Sequence, residues 1–336
     1  MKKLVLLYGV FILAFLIIIA SFFRPSQLDS WHNVDGGLRG DIGEQYVMVT
    51  FQSGIDYWKP VLKGFEDAAE ALGVSVDYRG STEYDVQEQM TVLEQVIARK
   101  PAGIALSAME PTALTASINK AVEAGIPVVL FDSGAEDSKA YSFLGTDNYN
   151  AGATAAHEFA RLLGNAGKVA VITLPNQLNH QERVNGFQET IRREYPKMQV
   201  LEIKDGKGDV VVSREAAREV MRDHPDLRGI FVTEAVGGVG VGEAIVQQER
   251  LGQVKIISFD TDKGTLDMIK DGIISATLAQ GTWNMGYWSL QFLFHLHHEL
   301  APESAGAAGK QRMLPPNVDT GVTVVTRANV DDYYAK

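Results

Sequence analysis

The chain has no cysteine and no basic cluster. Without cysteine, disulfide bonds, thiolate metal sites and cysteine nucleophiles are excluded, and so is the lipid-attachment cysteine of a bacterial lipoprotein. Lys and Arg are scattered along a chain whose formal net charge is −11 at pH 7. Such a field repels phosphate backbones, so we do not expect a nucleic acid as a partner.

Two catalytic or cofactor-binding motifs are also missing. The glycine-rich segment Ala235–Gly242 follows a predicted strand, but no glycine in it has partners two and five residues later, as a dinucleotide fingerprint requires. We interpret it as backbone close to a ligand or as a tight strand-to-helix turn. A Gly-x-Ser-x-Gly elbow is absent as well, so nucleophilic hydrolysis has no support and no cofactor is expected.

The N-terminus contains a long run without charge. Leu4–Phe23 is uncharged and follows Lys2 and Lys3. About twenty residues at ~1.5 Å each reach across a bilayer, and the apolar region of a cleaved signal peptide is usually shorter. We therefore favour a retained transmembrane helix over a cleaved signal in residues 1–24, followed by a linker in residues 25–45. The preceding lysines predict that the bulk of the chain lies outside the cytoplasmic membrane.

From Tyr46 the pattern alternates between strand-like and helix-like segments. Tyr46–Phe51 is rich in apolar residues, and Val61–Leu72 repeats apolar residues at helical spacing. After Tyr141–Gly145 the cycle restarts with the predicted helix Asn150–Leu163. Successive β-α units require a parallel sheet, and 336 residues suit two lobes better than one core. The sequence predicts an α/β fold with two doubly wound parallel-sheet lobes.

Two apolar runs far apart in the chain end in the same way. One stops at Phe131-Asp132-Ser133 and the other at Phe259-Asp260-Thr261. The carboxyl ends of strands in open α/β sheets bind ligands, so each half presents one carboxylate to a crevice. Three interpretations are open. Asp132 and Asp260 could each cap a helix or turn, act as the acid and base of a glycoside hydrolase, or accept hydrogen bonds from ligand hydroxyls.

Adjacent aromatic residues follow the first predicted strand. Tyr57 and Trp58 lie in a predicted loop, Ser53–Lys59, where exposed aromatics often stack against the apolar face of a sugar ring. The alternative is that one of the two covers the core.

Histidines cluster near the end of a predicted helix, Asn284–His298. His295, His297 and His298 are followed by Glu299, and His295 and His298 share a face, so a metal is conceivable. We favour the simpler interpretation that histidines are stabilised by the dipole at a helix C-terminus, and we expect no metal.

Several stretches together resemble one family. The chain from Tyr46 to about Thr326 is similar to a type I periplasmic sugar-binding protein of the ribose/galactose/xylose-binding group, whose core is shared with lac-repressor-type regulators. The matching stretches are VMVTFQSGIDYW, PVVLFDSG, FLGTDNYNAG, ERVNGFQET, GIFVTEA, IISFDTD, DGIISATLAQ and VDTGVTVVT. The resemblance implies two lobes that close by hinge motion around a ligand, with reversible binding and no catalysis.

The family's ligand positions carry over residue by residue. They fall here on Phe51, Gln52, Tyr57, Trp58, Asp132, Arg183, Glu234, Asp260 and Gln280. Two positions depart from the family pattern, since Ser133 stands where several relatives have Arg and Glu234 where Asn is common. The resulting excess of carboxylates suits a neutral sugar or polyol, or a ligand with a cationic group, and argues against an anionic one.

The resemblance also implies the domain boundaries. The N-terminal lobe comprises residues 46–147 plus 281–317, and the C-terminal lobe comprises residues 148–280 plus 318–336. The lobes are expected to be joined near Thr146–Asn148, near Gln280–Gly281 and near Asn317–Thr320.

The expected partners are a small-molecule sugar and a membrane protein, either an ABC permease or a sensor histidine kinase. Two other classes remain as alternatives. A glycoside hydrolase would use Asp132 and Asp260, whereas a ligand-responsive transcription regulator would need a DNA-binding segment in place of the N-terminal apolar run.

Overall fold

The computed structural model describes residues 38–175, 177–300 and 314–334. The predicted anchor lies outside these residues, and so does most of the predicted linker. Among the described helices none is long and apolar enough to cross a membrane.

The described strands form two six-stranded sheets. The first sheet has the strand order β11-β5-β4-β3-β1-β2 and all of its pairings are parallel. Its strands are β1 Gln45–Thr50, β2 Ser75–Gly80, β3 Gly103–Leu106, β4 Val128–Phe131, β5 Phe143–Gly145 and β11 Asn317–Asp319.

The second sheet has the order β12-β10-β9-β8-β6-β7, and only β12 runs antiparallel to its neighbour. Its strands are β6 Gly167–Thr173, β7 Met198–Asp205, β8 Leu227–Val232, β9 Lys255–Phe259, β10 Ala276–Gln280 and β12 Val322–Val325. The prediction of two parallel-sheet α/β lobes is confirmed, with an antiparallel edge strand that the sequence pattern did not indicate.

Helices cover the faces of both sheets, so the strands between them are apolar on both sides. The helices are α1 Trp58–Leu72, α2 Val86–Ala98, α3 Pro111–Glu123, α4 Asn148–Leu163, α5 Leu178–Glu194, α6 Val210–Asp223, α7 Gly237–Gln247, α8 Lys263–Lys270 and α9 Thr282–His297. Several begin after an Asp whose carboxylate accepts a hydrogen bond from the first turn, as Asp85 and Asp262 do.

The chain passes between the two sheets at three places among the described residues. It leaves β5 in the first sheet for α4, leaves β10 in the second sheet for α9, and passes directly from β11 to β12. The three connections are hydrogen-bonded to one another, because Thr320 N donates to Gly145 O at 2.8 Å and Gly281 N donates to Gly321 O at 3.1 Å. The connecting segments therefore lie side by side.

Both lobes use a pair of glycines to bring two helices together. A Cβ atom at Gly64 of α1 would collide with the backbone of Trp283 in α9, and one at Gly286 would collide with Val61. Gly152 of α4 and Gly186 of α5 approach each other's helices in the same way in the second lobe. Only glycine permits so close a helix crossing, and the repetition supports two halves of similar construction.

Two local predictions are corrected. The glycine-rich segment is the first turns of α7 rather than a turn before it, because Gly240 allows α7 to lie against the Val210 carbonyl of α6 and this packing overrides the poor helix propensity of glycine. The predicted loop Ser53–Lys59 is also too long, since α1 begins at Trp58.

Candidate functional site

Three strands are followed, within two residues, by a residue with left-handed backbone conformation. Gln52 after β1 has φ 43°, Asp132 after β4 has φ 59°, and Asp260 after β9 has φ 63°. This region is uncommon for residues other than glycine and is best tolerated by Asn and Asp. The two matching Phe-Asp ends therefore share a backbone conformation as well as a sequence. Asp260 is not the helix cap that one interpretation proposed, because Asp262 caps α8.

Asp132 is held by two hydroxyl groups of the first lobe. Tyr57 Oη donates to Oδ1 of Asp132 at 2.6 Å, and Ser107 Oγ donates to Oδ2 at 2.9 Å. Ser107 follows β3 as Asp132 follows β4, so neighbouring parallel strands bring the two side chains together. These two hydrogen bonds fix the orientation of the carboxylate.

Arg183 of α5 is the cation of the site and is only 3% exposed. Its Nε donates to Asn148 Oδ1 at 2.9 Å, and its two terminal nitrogens donate to Thr233 O at 2.7 Å and to Gln280 Oε1 at 3.1 Å. The guanidinium carbon lies 3.7 Å from the centre of the Phe259 ring. Three separate segments of the second lobe therefore hold one side chain.

Gln280 joins the groups of the two lobes. Its Nε2 donates to Asp260 Oδ1 at 2.7 Å and to Tyr57 Oη at 3.3 Å. Its Oε1 accepts hydrogen bonds from Thr146 Oγ1 at 2.8 Å and from Arg183. Gln280 is the last residue of β10, just before the chain crosses to α9. Its side chain therefore links this connection to Asp260 in the second lobe and to Tyr57 in the first lobe.

Burial governs the protonation of this network. Desolvation raises the pKa of Asp260 to about 6, although the charge of Arg183 and the hydrogen bond from Gln280 lower it. Desolvation raises the pKa of Asp132 as well, and it lowers the pKa of Arg183 against the attraction of Asp260. For each of these groups the effect of desolvation on the pKa is larger than the effect of the opposite charge nearby. The unliganded site therefore holds its charges at a net cost.

Glu234 follows β8 but makes its contact within its own turn. Its Oε2 accepts a hydrogen bond from Val236 N at 2.7 Å, and the residue is 6% exposed. Oε1 is buried without a hydrogen-bond partner among the described residues. Desolvation raises the pKa of Glu234 to about 7, so a large share of this side chain is protonated at neutral pH and can donate a hydrogen bond.

We expect Glu234→Gln to flatten the pH dependence of stability. The folded-state pKa of Glu234 is raised from 4.5 to about 7, so the folded state binds more protons than the unfolded state between these values. The contribution of Glu234 to the free energy of unfolding is fully present below pH 4.5 and is lost as the pH rises through 7. For a shift of this size the loss is roughly 3 kcal/mol. Urea unfolding of the unliganded protein from pH 4.5 to 8 measures this loss.

The matched control is Glu70→Gln, on the exposed face of α1. It should follow the wild-type curve at every pH. Parallel curves for wild type and Glu234→Gln would contradict the assignment.

The aromatic residues divide between the core and the crevice. Trp58 is 2% exposed, donates from its indole nitrogen to Phe51 O at 2.8 Å, and lies edge-on to the Phe51 and Phe131 rings. It therefore covers the core of the first lobe, whereas Tyr57 presents its hydroxyl to Asp132. Phe51 is half-buried and its ring meets Tyr84 edge-on with 5.6 Å between the centres.

Sequence reasoning did not select several residues that complete the site. Ser107 could have been found by the rule that selected Asp132, since it too follows a buried strand. Thr233 follows β8 and could have been found by the same rule, whereas Asn148, at the start of α4, carried no such signal; both position Arg183. Tyr84 was also missed, and its hydroxyl accepts a hydrogen bond from Gln177 Nε2 of the other lobe at 2.6 Å.

A cavity of about 810 Å³ lies beside the segments that connect the lobes. Asp132, Asn148, Glu182 and Asp319 are among the residues that line it. The cavity shares Asp132, Thr146 and Asn148 with the network, whereas Arg183 and Asp260 do not line it.

Two doubly wound lobes with a charged, hydrogen-bonded crevice at their strand ends define a two-lobed ligand-binding protein. The sequence pattern described as the periplasmic binding protein domain matches residues 46–298, and the chain belongs to that family. It is a substrate-binding protein and not an enzyme, and the family implies an extracytoplasmic location.

Solved structures of high similarity agree with this assignment. AraP, an arabinose-binding protein from Geobacillus stearothermophilus, is 68% identical, with a TM-score of 0.81 over 87% of this chain and 99% of that chain. A sugar-binding protein of a sugar ABC transporter from Bacillus halodurans is 63% identical, with a TM-score of 0.84 over 87% of this chain and 100% of that chain. XylFII, solved in a complex with LytSN, is 26% identical, with a TM-score of 0.74 over 84% of this chain and 98% of that chain.

Proposed function

We propose that this protein reversibly binds a pentose, arabinose in the first instance, between its two lobes. The observation that carries the proposal is the network in which Gln280 connects Asp260, Arg183 and Tyr57, with Asp132 beyond Tyr57. The likeness to an arabinose-binding protein at 68% identity supports arabinose among the neutral sugars.

The groups of the network suit a polyhydroxylated ligand. Asp132 and Asp260 offer one carboxylate acceptor from each lobe, while Arg183 offers N–H donors. A sugar hydroxyl donates and accepts at once, so it can bridge a carboxylate and a guanidinium. Closing the lobes around the ligand removes water and strengthens these polar contacts. Phe51, Gln52, Trp58 and Glu234 complete the proposed ligand set, with Trp58 and Glu234 acting from behind the crevice wall.

We further propose that the chain is attached to the outer face of the membrane through Leu4–Phe23 and presents its sugar to a membrane partner. An ABC importer is supported by the relative from Bacillus halodurans. A sensor histidine kinase is the second candidate, supported by the long uncharged run and by the complex of XylFII with a second protein. The neighbouring genes distinguish them, since an importer needs a permease and an ATPase and a sensor needs a two-component pair.

A thermal-shift screen tests the binding proposal. The full chain is heated with L-arabinose, D-arabinose, D-xylose, D-ribose or D-galactose at equal concentrations. A ligand at a hundredfold excess over its Kd stabilises the folded state by about 2.7 kcal/mol, which corresponds to a rise of roughly 5 °C or more in Tm. We expect an arabinose to give the largest shift.

Two controls accompany the screen. A sugar phosphate should give no shift, because the crevice is rich in carboxylates. The absence of a shift with every neutral sugar at millimolar concentration would refute the proposal. Release of 4-nitrophenol from an aryl arabinoside would instead indicate hydrolysis.

A further inference from the structure

A second cluster of polar side chains lies at the opposite edge of the first sheet from the sugar site. Glu44 immediately precedes β1, and His297 and His298 lie at the end of α9. The potential ligand atoms of the three side chains all lie within 4.8 Å of one another. His298 Nε2 and Glu44 Oε2 are already 2.9 Å apart. The helix pattern showed the two histidines but not Glu44, which lies 254 residues from His298 in the sequence.

Tyr46 supplies an independent observation at the same place. It is fully buried, and its hydroxyl lies beside the Glu44 carboxylate without forming a hydrogen bond of good geometry with any described residue. The Tyr46 ring also meets the His297 ring edge-on, with 6.0 Å between the ring centres. The buried Tyr46 side chain therefore lies beside two of the three clustered groups, Glu44 and His297.

We propose that Glu44, His297 and His298 bind a divalent transition-metal ion, with zinc as the best match. Two imidazole nitrogens and one carboxylate oxygen form a ligand set that zinc commonly accepts, leaving a fourth position for water. Tetrahedral zinc with bonds of about 2.0–2.1 Å needs ligand atoms roughly 3.3 Å apart. The present separations, at most 4.8 Å, would have to change by up to about 1.5 Å to reach that distance.

Aromatic rings contact the half-buried His298, whereas His297 is exposed. The Phe294 ring lies 4.2 Å from the His298 ring, centre to centre, and the rings of His297 and His298 are nearly perpendicular with 5.2 Å between their centres. A metal-bound water could then hydrogen-bond to the Tyr46 hydroxyl, which would satisfy its unpaired polar atom.

A metal at this position would tie the start of β1 to the end of α9. The sugar site lies at the carboxyl ends of the strands, whereas Glu44 lies at the amino end of β1. Metal binding is therefore expected to stabilise the first lobe without changing sugar affinity. The alternative is a simple ion pair between Glu44 and His298, which predicts no specific metal affinity.

Titration calorimetry with zinc chloride tests the site in the full chain after treatment with EDTA and removal of the chelator. We expect one zinc ion per chain, and a weakening of at least about tenfold in each of Glu44→Gln, His297→Gln and His298→Gln. Cobalt(II) gives a second measurement, because its visible absorption reports a low-coordinate site with nitrogen ligands. These bands should be lost in the two histidine variants.

The matched control is His157→Gln, which alters another histidine beside a carboxylate. His157 Nδ1 lies 3.7 Å from Glu194 Oε2, but the pair belongs to no three-residue cluster among the described residues. Its zinc affinity should equal that of wild type, and a retained sugar-induced thermal shift shows that each variant is folded. No zinc binding to wild type at 100-fold excess over about 1 µM protein, or equal binding by all variants, would overturn the proposal.

Discussion

Asp260→Asn is expected to lower sugar affinity by about 10- to 150-fold, because a hydrogen bond to a charged group contributes about 1.5–3 kcal/mol. Oδ1 of Asp260 accepts from Gln280, while Oδ2 has no hydrogen-bond partner among the described residues and is available to a sugar hydroxyl. The amide that replaces the carboxylate presents a donor where the ligand needs an acceptor. Titration calorimetry with the best sugar of the screen measures the loss.

The same substitution should make the unliganded protein more stable at pH 8. The pKa of Asp260 is raised from 3.8 to about 6, so its stabilising effect is present below pH 3.8 and is lost as the pH rises through 6. At pH 8 the buried charge costs the folded state about 1–3 kcal/mol, and the neutral Asn avoids this cost. A binding residue is thus expected to act against stability.

Asp271→Asn is the control, because Asp271 is exposed just beyond α8. It should leave both sugar affinity and stability unchanged. An Asp260→Asn variant that binds sugar as wild type does would remove Asp260 from the site. A variant that loses stability as well as affinity would indicate a structural role instead.

Arg183→Lys is expected to reduce both affinity and stability, by about 3–5 kcal/mol in the free energy of unfolding. The planar guanidinium donates in three directions, to Asn148, Thr233 and Gln280. A lysine ammonium is a single compact donor group and cannot reproduce this fork. Asn148 and the Thr233 carbonyl would be left buried and unpaired. Urea unfolding and sugar titration measure the two losses.

Arg192→Lys on the same helix is the matched control. Arg192 is exposed, so its replacement should change the free energy of unfolding by less than about 0.5 kcal/mol. Sugar affinity should also be unchanged. If Arg183→Lys behaved like Arg192→Lys, the network would not hold the site together.

Much of the fold could be predicted from local patterns. Apolar runs such as the one ending at Phe259 are buried on both faces in parallel strands, and their periodicity differs from that of the helices between them. The carboxyl-end rule placed Asp132 and Asp260 each at the ligand-binding end of a parallel sheet, one in each lobe.

Other features depended on contacts that no local pattern records. The start of α1 at Trp58 and the helical glycines of α7 follow from packing against distant segments. The same holds for the aromatic pair, since the surroundings decide that Trp58 is buried in the core and that the Tyr57 hydroxyl is hydrogen-bonded to Asp132 and Gln280. The burial that raises the pKa of Glu234 to about 7 likewise comes from neighbouring elements.

The sequence by itself determined two similar α/β lobes, a family, and a pair of matching Phe-Asp strand ends. These are properties of short segments, and hydrophobic periodicity and turn residues encode them directly. Only the tertiary structure decided how the carboxylates are held. Tyr57 and Gln280 are 223 residues apart yet hydrogen-bonded, and the desolvation of Asp260 depends on everything packed around it. Hydrogen bonding and burial are properties of the assembled fold, so the chemistry of the site emerges only when both lobes are in place.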